Sequence, residues 1–186
     1  VSMSCSAERA PDAPLEFTVK ALGDWSGTAV PALATGARLW LDGPYGVFTP
    51  ERHEGPGFVF IGGGVGVTPL ASMVQTLLDR DDARPLLLVH AANAWEGLCL
   101  RERFEALARQ HANFRWVPVL ESPPADWGGE RGYVTAEILR RHLPPRHGRL
   151  QYFVCGPAPM MDALERVLAE LGVPPDRVHT ERYDMV

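Results

Sequence analysis

Apolar residues run unbroken from Phe58 to Ile61, and a glycine-rich stretch, Gly62-Gly-Gly-Val-Gly-Val-Thr-Pro69, separates that run from an amphipathic pattern over Pro69 to Asp79. The unbroken run reads as a strand buried on both faces, and apolar positions three and four apart read as a helix with one buried face. The alternation continues: Leu86 to His90 and then a helix from Leu98 to Gln110; Phe114 to Leu120 and then a helix from Val134 to Leu143; Gln151 to Cys155 and then a helix from Met160 to Leu171. A last run, Arg177 to Tyr183, predicts a fifth strand. Continuous apolar strands separated by helices predict an α/β fold with a doubly wound, five-stranded parallel sheet covered on both faces.

Upstream the texture differs. Leu15-Glu-Phe-Thr-Val-Lys20 and Ala37-Arg-Leu-Trp-Leu-Asp42 alternate apolar and polar residues, as half-buried antiparallel strands do. Gly43-Pro-Tyr-Gly46 closes the second, and the polar stretch from Pro50 to Gly57 reads as an interdomain connection. The expected division is therefore residues 1–54, a fragment of an antiparallel β-barrel, and residues 55–186, the α/β unit.

Composition narrows the picture. With 186 residues, 46% of them hydrophobic, there is ample material for a packed core. A net charge of −5 and scattered arginines leave no basic face for nucleic acid, and Arg140 to Arg149 reads as a solvated helix end. The three cysteines, Cys5, Cys99 and Cys155, lie far apart with neither metal nor disulfide spacing, which fits a reducing, cytoplasmic compartment. No apolar run approaches the roughly 20 residues that cross a bilayer. The chain begins at Val1, and Ser2-Met-Ser-Cys-Ser6 reads as the interior of a folded unit, so a truncation or an alternative start is expected.

The glycine stretch carries the candidate chemistry. Strand, glycine turn and helix in that order turn backbone N–H groups toward a dinucleotide pyrophosphate. Gly64 supplies the sharp turn, Gly66 lets the phosphates approach the main chain, and Pro69 suits the first helical turn. Gly62, Gly63, Val65 and Val67 complete the stretch; a tight turn without a ligand is the alternative. Proline in place of a third glycine, and no acidic residue ending the second strand, fit ordinary dehydrogenases poorly. A P-loop is excluded because no Gly-Lys-Ser/Thr follows. Ligands of such sheets bind where strands end, here at residues 62–66, 91–95, 121–124 and 155–157.

Gly64-Val-Gly-Val-Thr-Pro69, together with Cys155-Gly-Pro157, resembles the pyridine-nucleotide domain of the ferredoxin-NADP reductase superfamily, in particular the reductase modules of bacterial ferric reductases and NADPH oxidases. Ser2-Met-Ser is similar to the tail of that family's first flavin motif, with Val1 in the aromatic place. Gly23-Asp-Trp-Ser26 resembles the second flavin motif, and Asp42-Gly-Pro-Tyr-Gly46 the end of the flavin barrel. Trp127-Gly-Gly-Glu-Arg-Gly-Tyr133, Cys155-Gly-Pro-Ala-Pro-Met-Met161 and His179-Thr-Glu-Arg-Tyr183 also recur there.

The resemblance implies a module that moves hydride from NAD(P)H to FAD and electrons onward to a haem, ferric or oxygen acceptor. It implies Thr68 near the nicotinamide, where a helix-start role is the alternative, and Cys155 beside nicotinamide C4, where a core thiol is the alternative. Gly156 and Pro157 would shape the loop under the ribose. Tyr183 would stack on the flavin ring or pack on the last strand. Ser2 would meet flavin N5, and Gly23 and Ser26 the FAD pyrophosphate. Asn93, in the loop after the second strand, and Met160 are counted with the cofactor-binding residues. The family favours NADPH over NADH, while Arg101 and Arg103 are not plainly placed to read a 2′-phosphate. The acceptor would be a haem-bearing transmembrane domain outside this chain, with the module at the cytoplasmic face. A metal site lacks H-x-x-H or H-E-x-x-H spacing, and hydrolase chemistry lacks a nucleophile elbow. The competing reading is a non-catalytic nucleotide-binding fragment unable to retain FAD, because only two barrel strands are expected where about six are normal.

Overall fold

Alternate side chains of the central strands go to opposite sides of one sheet, and each side carries its own apolar core. The structure, a computed structural model, describes residues 1–182. β1 (Phe58–Gly63) and β5 (Gln151–Gly156) are buried along their whole length, which is why they read as unbroken apolar runs. Phe58 and Phe60 of β1, Leu88 of β2 (Leu86–Ala92) and Phe153 of β5 pack with α1 (Val67–Asp79) and α2 (Arg101–Gln110). Val59, Ile61, Val89 and Val154 pack on the other side with α3 (Ala136–His142) and α4 (Ala158–Glu170).

β3 (Phe114–Leu120), β4 (Glu130–Arg131) and β6 (Val178–Arg182) complete a sheet of order β4-β3-β2-β1-β5-β6, with every neighbouring pair parallel. The chain winds outward from β1 to β4 and then returns to place β5 on the free side of β1. That reversal opens a crevice at the carboxyl ends of β1 and β5.

The α/β prediction holds, with six strands rather than five. The sixth, β4, is two polar residues pairing Glu130 with Val119 and Arg131 with Leu120, too short and too polar to leave a hydrophobic pattern. Helix α2 starts at Arg101 rather than Leu98, because Trp95–Gly97 forms a separate turn and Leu100 adopts φ 60°. The basic residues Arg140, Arg141 and His142 occupy the last turn of α3, where the negative end of the helix dipole favours them.

The two expected antiparallel strands are the main departure. Leu15 to Lys20 contributes a single antiparallel bridge, Phe17 to Met3, and Ala37 to Asp42 forms no strand. Alternation stabilises a strand only when one face is covered and a neighbour accepts the ladder. Leu39, Trp40 and Leu41 are successive and all largely exposed, so neither face is covered. The first twenty residues are instead tied to the helices. Arg103 donates to the Ser4 carbonyl at 2.8 Å and to Glu16 at 2.5 Å, and the Ala7 amide donates to Thr76 Oγ1 at 2.9 Å. Arg80, at the end of α1, bridges Glu8 and Glu51. Among the described residues no helix is long and apolar enough to cross a membrane.

Candidate functional site

Residues Gly64–Gly66 form one 3-10 turn that runs directly into α1. The first N–H groups of such a segment have no partner within the helix and point away from it, toward the rim of the sheet. Gly64 sits at φ 54° with open space on the side where a Cβ would project. That positive φ is what the sequence required of it. Gly66 is held to glycine by packing. A Cβ there would lie 2.4 Å from the Cys155 carbonyl oxygen, so the missing side chain lets the turn pack on the end of β5. Gly63 is likewise covered by Met160 of α4, whose Sδ would lie 2.2 Å from a Cβ. The glycine turn and the Cys155-Gly-Pro157 loop therefore emerge on one rim, in contact.

Above that rim lies a cleft of about 840 Å³, lined mostly by apolar groups. Gly63, Gly64, Val65, Asn93, Pro157 and Met160, all expected at the site, line it. The remaining residues of the glycine stretch, Gly62, Gly66, Val67, Thr68 and Pro69, are buried behind the turn, as are Cys155 and Gly156 at the end of β5. Thr68 is 1% exposed, and its Oγ1 donates to the Val65 carbonyl at 2.9 Å, so its hydroxyl serves the turn. Ser2 is half-buried and lies outside the cleft lining. Ser26 lies in a short helical segment, Trp25–Ala29, that Gly23 precedes, and both stand outside the cleft lining; the Leu22 and Gly23 amides donate to Ser26 Oγ at 3.0 and 3.1 Å. Those amides serve a local turn rather than facing an anion. Tyr183 lies outside the described residues.

The cleft also holds residues that sequence reading missed. Thr18, Val19 and Lys20 form part of its wall, and Lys20 is the only lysine in the chain. Nothing local marks Lys20, because its position depends on how the N-terminal segment docks on α2. Tyr133 and Glu121 line the far end, with the Tyr133 hydroxyl donating to Glu121 Oε1 at 2.5 Å. Accepting that bond, Glu121 holds the phenol in its neutral form and raises its pKa. Tyr133 belongs to the Trp127-to-Tyr133 motif, which was the one available signal.

Charge within the cleft is mixed. Glu96 and Glu121 face it from the β2 and β3 ends and Lys20 from the N-terminal segment. Arg103 is committed to Ser4 and Glu16, and Arg101 stacks its guanidinium over the Trp95 ring at 5.2 Å. Cys99 is half-buried; its Sγ donates to the Gly64 carbonyl at 3.5 Å, and burial pushes the thiol pKa up. Beneath the turn, His90 of β2 is fully buried, edge-on to Phe104, and neither ring nitrogen has a hydrogen-bond partner among the described residues. Burial lowers its pKa to about 4, with the Gly64 backbone opposing the fall, so the ring is neutral near pH 7.

Residues 60–166 match the family model of the oxidoreductase NAD-binding domain. The chain is 35% identical over 153 residues to the phenol hydroxylase P5 protein of Acinetobacter pittii, covering 81% of this chain and 43% of that protein. It is 39% identical over 158 residues to ferredoxin--NADP reductase B of Sorangium cellulosum, covering 82% and 64%. Among solved structures it is similar to the ferredoxin reductase in carbazole 1,9a-dioxygenase, with a TM-score of 0.80, 26% identity, and coverage of 98% and 54%. The chain thus spans roughly half the length of the proteins it matches, 43% to 64% in these three. Ferredoxin reductase-like homologues bind FAD and NAD(P)H.

Proposed function

Since this chain belongs to the ferredoxin-NADP reductase-like superfamily through its oxidoreductase NAD-binding domain, we propose that it is the nicotinamide-nucleotide half of a flavin-dependent electron-transfer reductase. In such a module FAD, when bound, accepts a hydride from NAD(P)H and passes electrons singly to a further acceptor. The observation that carries this reading is the contact between the glycine turn and the end of β5, with an open cleft above both.

The residues present fit a dinucleotide. The turn amides at the start of α1 would take the pyrophosphate, and Lys20 in the cleft wall would offset its charge. Asn93 and Tyr133, toward the end of β2, would hold the adenosine end, and Pro157 and Met160 the nicotinamide end. Cys155 backs that end from within the core. Glu96 lines the cleft while Arg101 and Arg103 are engaged elsewhere, which supports NADH over the NADPH that resemblance favours.

We assign residues 1–54 to the end of a flavin barrel and residues 55–186 to the nucleotide domain. The acceptor lies outside these residues, in an oxygenase or cytochrome partner. A haem-bearing transmembrane domain, a ferric or an oxygen acceptor, and a cytoplasmic location are the narrower forms carried by the ferric reductase and NADPH oxidase resemblance. The second reading, a nucleotide-binding fragment that does not retain FAD, is favoured by two observations. Trp40, Tyr45 and Val47 are 89%, 81% and 65% exposed in the segment assigned to the barrel, and the flavin-motif residues Gly23 and Ser26 stand outside the cleft.

Mixing the chain with FAD and titrating with NADH or NADPH without oxygen, while following flavin absorbance, tests both. Saturable bleaching supports the reductase. Nucleotide binding with no retained flavin supports the fragment, and failure to bind either nucleotide overturns the two together.

A further inference from the structure

Two consecutive carbonyls of the glycine turn are held by side chains. Thr68 Oγ1 donates to the Val65 carbonyl at 2.9 Å, and Cys99 Sγ donates to the Gly64 carbonyl at 3.5 Å. A trans peptide is planar, with the carbonyl of one residue opposed to the N–H of the next. Holding the Gly64 carbonyl therefore sets the direction of the Val65 N–H, and holding the Val65 carbonyl sets that of the Gly66 N–H. The Val67 N–H also reaches both carbonyls, which marks them as the inward side of the turn. Gly64 has no side chain to restrict its own rotation, so the plane that follows it is the one most in need of an external hold.

We propose that Thr68 and Cys99 are positioning residues for dinucleotide binding, which fix two successive peptide planes so that the Val65 and Gly66 amides stand ready for the pyrophosphate. The inference rests on the dinucleotide reading of the cleft and adds to it two residues that touch neither phosphate nor ring. Thr68 then acts through the turn rather than at the nicotinamide. Cys99 acts as a donor, which requires the thiol to stay protonated; its burial ensures that.

The discriminating probe is ADP-ribose, which carries the pyrophosphate and no nicotinamide. Its dissociation constant and that of NADH are measured by calorimetry for the chain and for Thr68→Val, Thr68→Ser, Cys99→Ala and Cys99→Ser. Loss of one donor is expected to weaken both ligands equally, by roughly three- to tenfold, with the serine variants restoring most of the loss. Thr68→Val weakening NADH alone would return its hydroxyl to the nicotinamide and overturn the proposal for that residue. Valine and alanine variants that bind both ligands as tightly as the parent chain overturn it entirely. Should the parent chain bind neither ligand, the dinucleotide reading itself fails. Melting temperatures separate the roles: a variant that loses affinity in the alanine or valine form and regains it in serine, at unchanged thermal stability, has lost positioning rather than packing.

Discussion

Gly66 meets Cys155 backbone to backbone: a methyl group at position 66 would lie 2.4 Å from the Cys155 carbonyl oxygen and 2.7 Å from its carbon. Neither atom can swing aside as a flexible side chain does. The turn that faces the cleft and the strand end behind it are therefore one packed unit, and the register of β1 against β5, Gly62 beside Cys155, holds them there.

Gly66→Ala should accordingly cost about 1 to 3 kcal/mol by overpacking, with loss of nucleotide binding as the turn lifts from β5. Gly64→Ala meets no atom of the described residues within 4 Å and should cost only about 1 to 2 kcal/mol for its positive φ. Urea denaturation with nucleotide titration checks the contrast. A Gly66→Ala protein that binds as well as the parent would show that the contact does not set the site.

Lys20→Met should weaken NADH binding by roughly tenfold at low salt and flatten its dependence on ionic strength. Because Lys20 is the sole lysine, an amine-directed reagent has only this side chain and the N-terminus to modify. Peptide mapping should find Lys20 protected when NADH is present. Equal labelling with and without nucleotide would remove Lys20 from the site.

With Glu96 on the cleft wall and no arginine in the cleft lining among the described residues, kcat/KM in a flavin-loaded preparation should favour NADH over NADPH by roughly tenfold or more. Glu96→Gln should narrow that ratio by relieving repulsion of the 2′-phosphate. A parent preference for NADPH contradicts the assignment.

His90 gives a pH signature. Its folded pKa, about 4, lies below the ordinary histidine value of 6.5, so between these values the unfolded chain binds more protons than the folded one. The contribution is complete above pH 6.5 and falls as pH drops toward 4, by about 3 kcal/mol in all. Chemical denaturation at pH 7 and pH 4 should show that loss, and His90→Leu should remove most of it. Glu130 acts in a lower window: Arg141 first, and then His142, hold its carboxyl down to about 2, so its share is lost as pH falls from the usual carboxylate range toward 2.

Much of the α/β unit was readable because its strands are buried on both faces and its helices on one, conditions that leave their period in the sequence. The glycine turn was readable for a related reason, since Gly64 answers to its own backbone dihedral. At Gly66 the sequence predicts an approach of phosphates to the main chain, while the packing of that glycine on residue 155 has no local trace. The direction of the Thr68 hydroxyl was hidden in the same way: a threonine at a helix start has several acceptors within reach, and the fold selects one. Lys20 could not be placed at all without knowing that Arg103 draws the N-terminal segment onto α2. The segment from Ala37 to Asp42 shows the converse, an alternating pattern that stays coil when no neighbour supplies a ladder.

The wall formed by Thr18, Val19 and Lys20 belongs to a segment moored through Ser4, Ala7 and Glu16 rather than to the sheet. Ligand occupancy and the docking of that segment are then thermodynamically linked, and the linkage is reciprocal. Whatever tightening the docked segment lends to the nucleotide, the nucleotide must return as slower amide exchange in residues 3–18.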